Sequence, residues 1–387
     1  MDRVIIANGR VITPWQVLEK GAVVIVGGKI VEVKEGFEPA EGSEATIIDA
    51  AGKTVAPGFV DIHVHGGAGS DTMDATPQAI QGMAQFFSSH GVTGFLPTTV
   101  TASKEAILAA IENAALCQRE QAGGAQVLGV HVEGPYISPS KPGAQPVQFI
   151  RPAAPDEYCE FFAWDNIKVI TLAPEIPENK ELITYAVQQG ATVAVGHSAA
   201  SYAEVLAAVR LGLSHSAHTC NGMGGLQHRE PGTVGAVLAC DEITAEVIAD
   251  NIHIHPAVIK LLVRAKGVGR TVLMTDAIRA AGMADGTYDL GGQRVTVKEG
   301  VTRIATGSLA GSTLTMDRAV RNAMVAADLS LAEALRMASY NPARVIGMEK
   351  KGSLEPGKDA DIVLLDDELK VVLTMVGGKV VYQGVHA

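Results

Sequence analysis

The sequence predicts an α/β protein: a (β/α)8 TIM-type barrel with a small β-sandwich domain formed by both chain termini. Three observations lead to this. Apolar runs alternate with helix-like stretches eight times through the middle of the chain. Short alternating runs with glycine turns occupy both ends. Residues of metal-ligand type fall where the central apolar runs stop, and in a parallel barrel those strand ends share one face.

The N-terminal segment carries alternating runs at 4–6, 22–26 and 29–33, with Asn8-Gly9 and Gly27-Gly28 as turns. The C-terminal segment has the same texture at 361–365, 371–376 and 379–382, with Gly377-Gly378 between the last two. Neither segment is long enough to bury a core alone, so residues 1–55 and 351–387 are expected to combine into one β-domain flanking a barrel at 56–350. Barrel strands are expected at 60–63, 93–98, 127–133, 168–172, 192–197, 214–218, 245–249 and 271–276. Helices are expected at 77–90, 104–121, 179–189, 201–211 and 256–266. A hairpin insertion at 288–304 follows the eighth strand, and 332–339 resumes helix. No internal repeat or long linker interrupts the order.

Composition narrows the function. The chain is 47% hydrophobic and 19% charged, with 42 glycines, which fits a folded α/β protein rich in tight turns. A formal charge of -11 without clustered Lys and Arg argues against nucleic acid. No signal-like N-terminus or membrane-length apolar run occurs, so a cytoplasmic location is expected. Cys117, Cys159, Cys220 and Cys240 show no paired motif, which argues against a disulfide framework or a cysteine zinc site.

His63 and His65 alternate along the first strand and so can reach one ion together. Glu133 ends the third strand, His197 the fifth, His218 the sixth and Asp276 the eighth. Four histidines and two carboxylates suit zinc, iron or a similar divalent metal better than calcium or magnesium. Each residue also has an ordinary reading: His197 as a helix cap, Glu133 paired with a cation, Asp276 as an N-cap. Structural use of all six at one end would leave several charges uncompensated, which favours the metal. His90 and His386 are expected at the surface and His131 as a satisfied core or supporting group. His215, His228 and His255 are left open.

The chain resembles the N-acetylglucosamine-6-phosphate deacetylases of the amidohydrolase superfamily over nearly its whole length. The resemblance rests on Pro57-Gly58-Phe59-Val60-Asp61-Ile62-His63-Val64-His65-Gly66, His131-Val132-Glu133-Gly134-Pro135-Tyr136, Gly196-His197-Ser198, His218-Thr219-Cys220-Asn221-Gly222-Met223, Arg229-Glu230-Pro231-Gly232, Ile248-Ala249-Asp250-Asn251-Ile252-His253, Thr275-Asp276-Ala277 and Leu309-Ala310-Gly311-Ser312. It implies that Glu133, His197 and His218 hold the principal metal and that Asp276 is the catalytic acid/base. It places Ala144, Gln145, Asn221, Gly222, Arg229, Asp250, His253, Leu309, Ala310 and Gly311 around the sugar phosphate. Gln145 stands where some members have histidine. Retention of His63 and His65 leaves one or two metals per chain open, with Glu133 bridging and Asp276 contributing in the two-metal case.

The implied reaction is hydrolysis of the acetamide to acetate and glucosamine 6-phosphate. Arg229 is the best phosphate ligand, with His253 as helper, because a guanidinium fork matches phosphate oxygens. Its ordinary alternative is a salt bridge with Glu230. In the family this arginine can reach across a dimer interface, which implies a homodimer or higher homo-oligomer. Alternatives are the N-acetylgalactosamine-6-phosphate epimer, or another amidohydrolase acting on a cyclic amide or N-acyl amino acid. Many of the latter bridge two metals with a carbamylated lysine ending strand four, whereas Ile170-Thr171-Leu172-Ala173-Pro174-Glu175 has no lysine. The intact ligand set argues against a barrel that serves only in binding or assembly.

Overall fold

Both chain ends meet in one eight-stranded sheet. The computed structural model describes residues 3–36, 45–120 and 123–384; His386 and the last residue of the helix expected at 104–121 lie outside them. Strand Arg3–Ile12 pairs antiparallel with Val17–Val26 on one side, and parallel with Thr46–Asp49 and Thr54–Pro57 on the other. Thr54–Pro57 in turn pairs antiparallel with Ile362–Leu365, which carries Val371–Val376 and Lys379–Gln383. Ile6, Val11, Val23, Ile25 and Val55 share a core with Ile362, Leu364 and Met375. Neither end contributes that core alone.

Two of the three glycine turn signals hold and one does not. Gly27-Gly28 and Gly377-Gly378 form two-residue turns with both φ values positive, at 57° and 78° and at 54° and 79°, as a hairpin matched to right-handed strand twist requires. Asn8-Gly9, expected as a turn, instead lies inside Arg3–Ile12. Asn8 has φ 58° and the pairing register shifts between Ile6 and Gly9, so the extra residue is taken up as a bulge.

Eight parallel strands follow: β1 Phe59–Val64, β2 Val92–Pro97, β3 Val130–Glu133, β4 Ile167–Leu172, β5 Thr192–Val195, β6 His215–Ser216, β7 Thr244–Ile248 and β8 Thr271–Met274. The helices after them are α1 Pro77–Ser89, α2 Lys104–Glu120, α3 Pro155–Phe162, α4 Asn179–Gln188, α5 Tyr202–Arg210, α6 Gly232–Ala239, α7 Pro256–Lys266 and α8 Met316–Ala327. Strands β3 to β8 pair in sequence order. β1 pairs with β2, a Thr98–His131 bridge joins β2 to β3, and Asp276 N donates to His63 O at 2.9 Å where β8 meets β1. The result is a curled parallel sheet.

The strand expected at 127–133 is broken. Gln126–Val127 pairs with β2, and pairing with β4 begins only at Val130. Gly129 turns the chain between them with φ 147°, where a Cβ would lie 2.6 Å from Asn166 O. Beyond β8, the expected hairpin is a three-stranded meander of Gly286–Leu290, Gln293–Lys298 and Val301–Ile304.

The outer faces of β3, β4 and β5 present Val130, Val132, Ile170, Leu172, Val193 and Val195 to the helices. On the concave side Leu96, Val169, Ala194, Ala217 and Val272 pack around Ala343 and Ile346, which fill one end. His131 and Glu133 alternate with the outward residues of β3, and Glu246 with Ala245 and Val247 of β7, so they project inward at the other end. Among the described residues no helix is long and apolar enough to cross a membrane.

Candidate metal centre

Glu133, the last residue of β3 and 1% exposed, is the centre of the predicted cluster. Its Oε1 lies 2.8 Å from His218 Nε2, 3.3 Å from His197 Nε2 and 3.4 Å from His63 Nε2. Its Oε2 lies 3.4 Å from His65 Nε2 and accepts from Gln145 Nε2 at 2.6 Å. Asp276 Oδ1 is 3.2 Å from His65 Nε2. Two ligand groups with metal-binding spacing therefore share Glu133: one with His63 and His65, the other with His197 and His218.

The outer nitrogens of three rings test whether this cluster suits a cation. His65 Nδ1 faces Thr98 O at 3.2 Å, His197 Nδ1 faces Lys141 O at 2.9 Å, and His63 Nδ1 faces Glu246 Oε2 at 2.9 Å. These acceptors have no proton to give, so each Nδ1–H donates outward and each Nε2 turns a lone pair toward Glu133. His63 Nε2 is buried with no hydrogen-bond partner among the described residues. Lone pairs aimed at carboxylate oxygens repel unless a cation stands between them, and an N/O donor set of this kind fits a divalent transition metal.

Electrostatics point the same way. Burial opposes charge on the histidines, but Glu246 and Glu133 push His63 well above its ordinary value, and contacts with Asp276 and Glu133 push His65 up to about 10. Burial likewise opposes ionisation of Glu133, yet the positive field of His63 and hydrogen bonds from the surrounding rings hold it well below the usual carboxylate range. Protons and a metal thus compete for the same lone pairs, and metal binding releases protons.

The strands stop short of several residues of the cluster. β5, β6 and β8 end before His197, His218 and Asp276, whose φ values are 45°, 28° and 51°. A positive φ is costly for non-glycine residues, on the order of 1–3 kcal/mol each, and persists only where surrounding structure enforces it. Here Ser198 N donates to Gly222 O at 2.9 Å and Ser312 N to Asp276 O at 2.7 Å. The expected strands at 192–197, 214–218 and 271–276 are therefore too long at these ends, because the chain turns to swing each side chain inward.

The ordinary readings meet specific geometry. Ser201, not His197, caps α5. Glu133 faces histidines and Gln145 rather than a Lys or Arg. His131 is buried and satisfied by Ile62 O and Thr171 Oγ1, and burial with the nearby His63 charge pulls it down to about 3. His255 caps α7, His228 is exposed, and His215 is bonded to Glu246. His90, expected at the surface, is half-buried against Asp317.

Glu246 is the residue that the sequence reading missed. It is a lone acid inside the apolar β7 stretch Thr244-Ala245-Glu246-Val247-Ile248, and that was its only signal. Asp61 was also missed: it is buried beneath the cluster, accepts from Thr275 Oγ1 at 2.6 Å, and is pushed by burial up to about 7.

Above the cluster opens a cavity of about 300 Å³. Ala144, Gln145, Asn221, Gly222, His253, Leu309 and Gly311 line it, together with His65, Glu133, His197, His218 and Asp276. Three predicted substrate residues do not. Ala310 packs into a buried cluster with Ile278 and Val295, because the loop alternates its side chains. Asp250 stands behind His253, accepting from its Nδ1 at 2.7 Å and from the main-chain nitrogens of Ile252 and His253. Arg229 is exposed outside the lining. Nor does it bind Glu230, whose carboxylate instead accepts from Gly232 N at 3.2 Å and Tyr202 N at 3.4 Å. Gln145 also accepts from Thr101 N at 2.7 Å, which clamps its amide against Glu133.

Comparison with known proteins adds independent findings. The Amidohydrolase family profile matches residues 54–381. The chain is 37% identical over 387 residues to an N-acetylglucosamine-6-phosphate deacetylase of Bacillus subtilis, covering 98% of each. It is 42% identical over 339 residues to an N-acetylgalactosamine-6-phosphate deacetylase of Escherichia coli O157:H7, covering 86% of this chain and 89% of that one. Among solved structures, a mutant N-acetyl-D-glucosamine-6-phosphate deacetylase from Mycobacterium smegmatis in complex with N-acetyl-D-glucosamine-6-phosphate matches with a TM-score of 0.93 at 32% identity, covering 99% of this chain and 100% of that one.

Proposed function

The chain belongs to the amidohydrolase family, and from that premise we infer that it is a metal-dependent N-acetylglucosamine-6-phosphate deacetylase, releasing glucosamine 6-phosphate and acetate. The observation that carries the reading is the shared carboxylate of Glu133, met by four Nε2 atoms, with Asp276 beside His65, at the base of a cavity sized for a small polar ligand. Glu133, His197 and His218 would hold the principal ion, and His63 and His65 with Glu133 a second. Zinc or iron suits these donors. Such an ion supplies Lewis acidity and lowers the pKa of water.

The chain's own groups perform the proton transfers. Burial opposes ionisation of Asp276, but without an ion the hydrogen bond from His65 and the charges of His63 and His65 hold its carboxyl below the ordinary range; an ion bound in place of those protons would supply the same positive charge, so Asp276 begins the reaction as a base. Asp276 takes a proton from the attacking water as a C–O bond forms, then gives it to the departing nitrogen as the C–N bond breaks. Gln145 holds Glu133 in place throughout.

Among the described residues no Lys or Arg lines the cavity, so the phosphate relies on His253, on main-chain groups of the Asn221-Gly222 turn, and on Arg229. Exposed outside the cavity lining, Arg229 serves this role across the interface of a homodimer. The curled sheet is read as a closed (β/α)8 barrel spanning 56–350, with segments 1–55 and 351–387 folded as a β-sandwich, in a cytoplasmic enzyme. The Escherichia coli relative also favours a second substrate, the galacto epimer.

Acetate release from N-acetylglucosamine 6-phosphate, N-acetylgalactosamine 6-phosphate and unphosphorylated N-acetylglucosamine tests the assignment side by side. The fastest release is expected from the phosphorylated gluco sugar. Equal rates without phosphate would remove Arg229 and His253 from their roles, and no release from any of the three would overturn the activity.

A further inference from the structure

We propose that Glu246 is the positioning residue that makes His63 a metal ligand, and so sets the affinity of the second ion; the inference rests on the two-metal reading above. Glu246 is fully buried in β7, between Ala245 and Val247, whose side chains face the other way. Both of its oxygens are committed. Oε2 accepts from His63 Nδ1 at 2.9 Å and from the main-chain nitrogen of His218 at 3.0 Å; Oε1 accepts from His215 Nε2 at 3.0 Å.

Two consequences follow from that geometry. A carboxylate can only accept, so His63 must carry its proton on Nδ1, and the lone pair of its buried, unpartnered Nε2 faces Glu133. Glu246 also places a negative charge directly behind the ring, which makes Nε2 a stronger donor and offsets part of an ion's charge. His65 and His197 are oriented by neutral main-chain carbonyls instead. His63 alone among the three has a charged partner behind it. Through His218 N the same carboxylate also ties down the backbone of the other ligand group.

A purely structural Glu246 would join β6 to β7 without acting on the metal. The two roles separate in a double-mutant cycle read by metal binding. Zinc content and chelator competition would be measured on the wild type, Glu246→Gln, His63→Gln and the double variant. We expect two equivalents in the wild type. Glu246→Gln should keep the first and weaken the second by about 10–100-fold, the usual effect of losing an outer carboxylate. In the His63→Gln background the same change should add nothing.

Unchanged affinity for both ions in Glu246→Gln, or full additivity with His63→Gln, would overturn the proposal while leaving the two-metal reading intact. A wild type that binds one equivalent, lost in His197→Gln and indifferent to His63→Gln, would remove the second site itself and the proposal with it. Should the Gln variant fail to fold, nitrogen NMR of histidine side chains in the zinc-loaded wild type decides: His63 must be protonated at Nδ1, and an Nε2–H signal from His63 would overturn the assignment.

Discussion

The floor of the cavity is made of side chains fixed from behind, whereas its rim is made of turns and exposed groups. On the floor, Glu133 is clamped by Gln145, His63 by Glu246, and His65 and His197 by main-chain carbonyls. On the rim, His253 is held by one loop aspartate, and Arg229, outside the lining, is exposed to solvent. Preorganised, dehydrated groups act most strongly where charge moves, and adaptable ones suffice to hold a phosphate far from the reacting bond. Changes on the floor should therefore lower kcat or remove metal, and changes on the rim should raise KM.

The largest effect is expected from Asp276→Asn: kcat falls about 10³-fold, within the usual range for a general acid/base, while elemental analysis finds the principal metal retained. Near-normal turnover in that variant would take Asp276 out of the reaction. Arg229→Ala should lower kcat/KM for the phosphorylated sugar by about 10–100-fold, the size of a lost charge-assisted hydrogen bond, mainly through KM. A loss of kcat at unchanged KM would erase the contrast between floor and rim. Asp250→Asn acts on the rim at one remove, through His253, so a roughly tenfold rise in KM for the phosphorylated sugar is expected, with little change for the unphosphorylated one.

The smallest effect lies outside both regions. Burial opposes ionisation of Asp317, but its bond to His90 brings it from an ordinary 3.8 to about 2. Because the folded value is depressed, its stabilisation is present above 3.8 and is lost as pH falls through about 2. Discounted for the partial exposure of His90, this is on the order of 1 kcal/mol. Acid unfolding of Asp317→Asn should show a correspondingly weaker pH dependence in that window.

The same contrast explains what could be read from the chain before its structure. Floor residues were legible because each ends an apolar run, and strand ends in a parallel array converge by geometry. The eight strands were legible for a related reason: two-sided burial makes them continuous Val, Ile and Leu stretches. Glu246 escaped notice because its importance depends on which ring β1 sets beside β7, a pairing across 183 residues. Rim residues follow loop conformation, so nothing in the sequence indicated that Asp250 would stand behind His253 or that Ala310 would turn into the core. Helix α6, Gly232–Ala239, was missed because it is apolar on nearly every side and lacks the amphipathic period that betrays surface helices.

The most direct test of a metal-bearing floor is acetate release from N-acetylglucosamine 6-phosphate by the chelator-stripped chain, titrated back with zinc. Turnover should vanish on stripping and return with added ion, saturating by two equivalents per chain. Undiminished turnover in protein that elemental analysis finds free of metal would contradict the role given to Glu133 and the histidines around it.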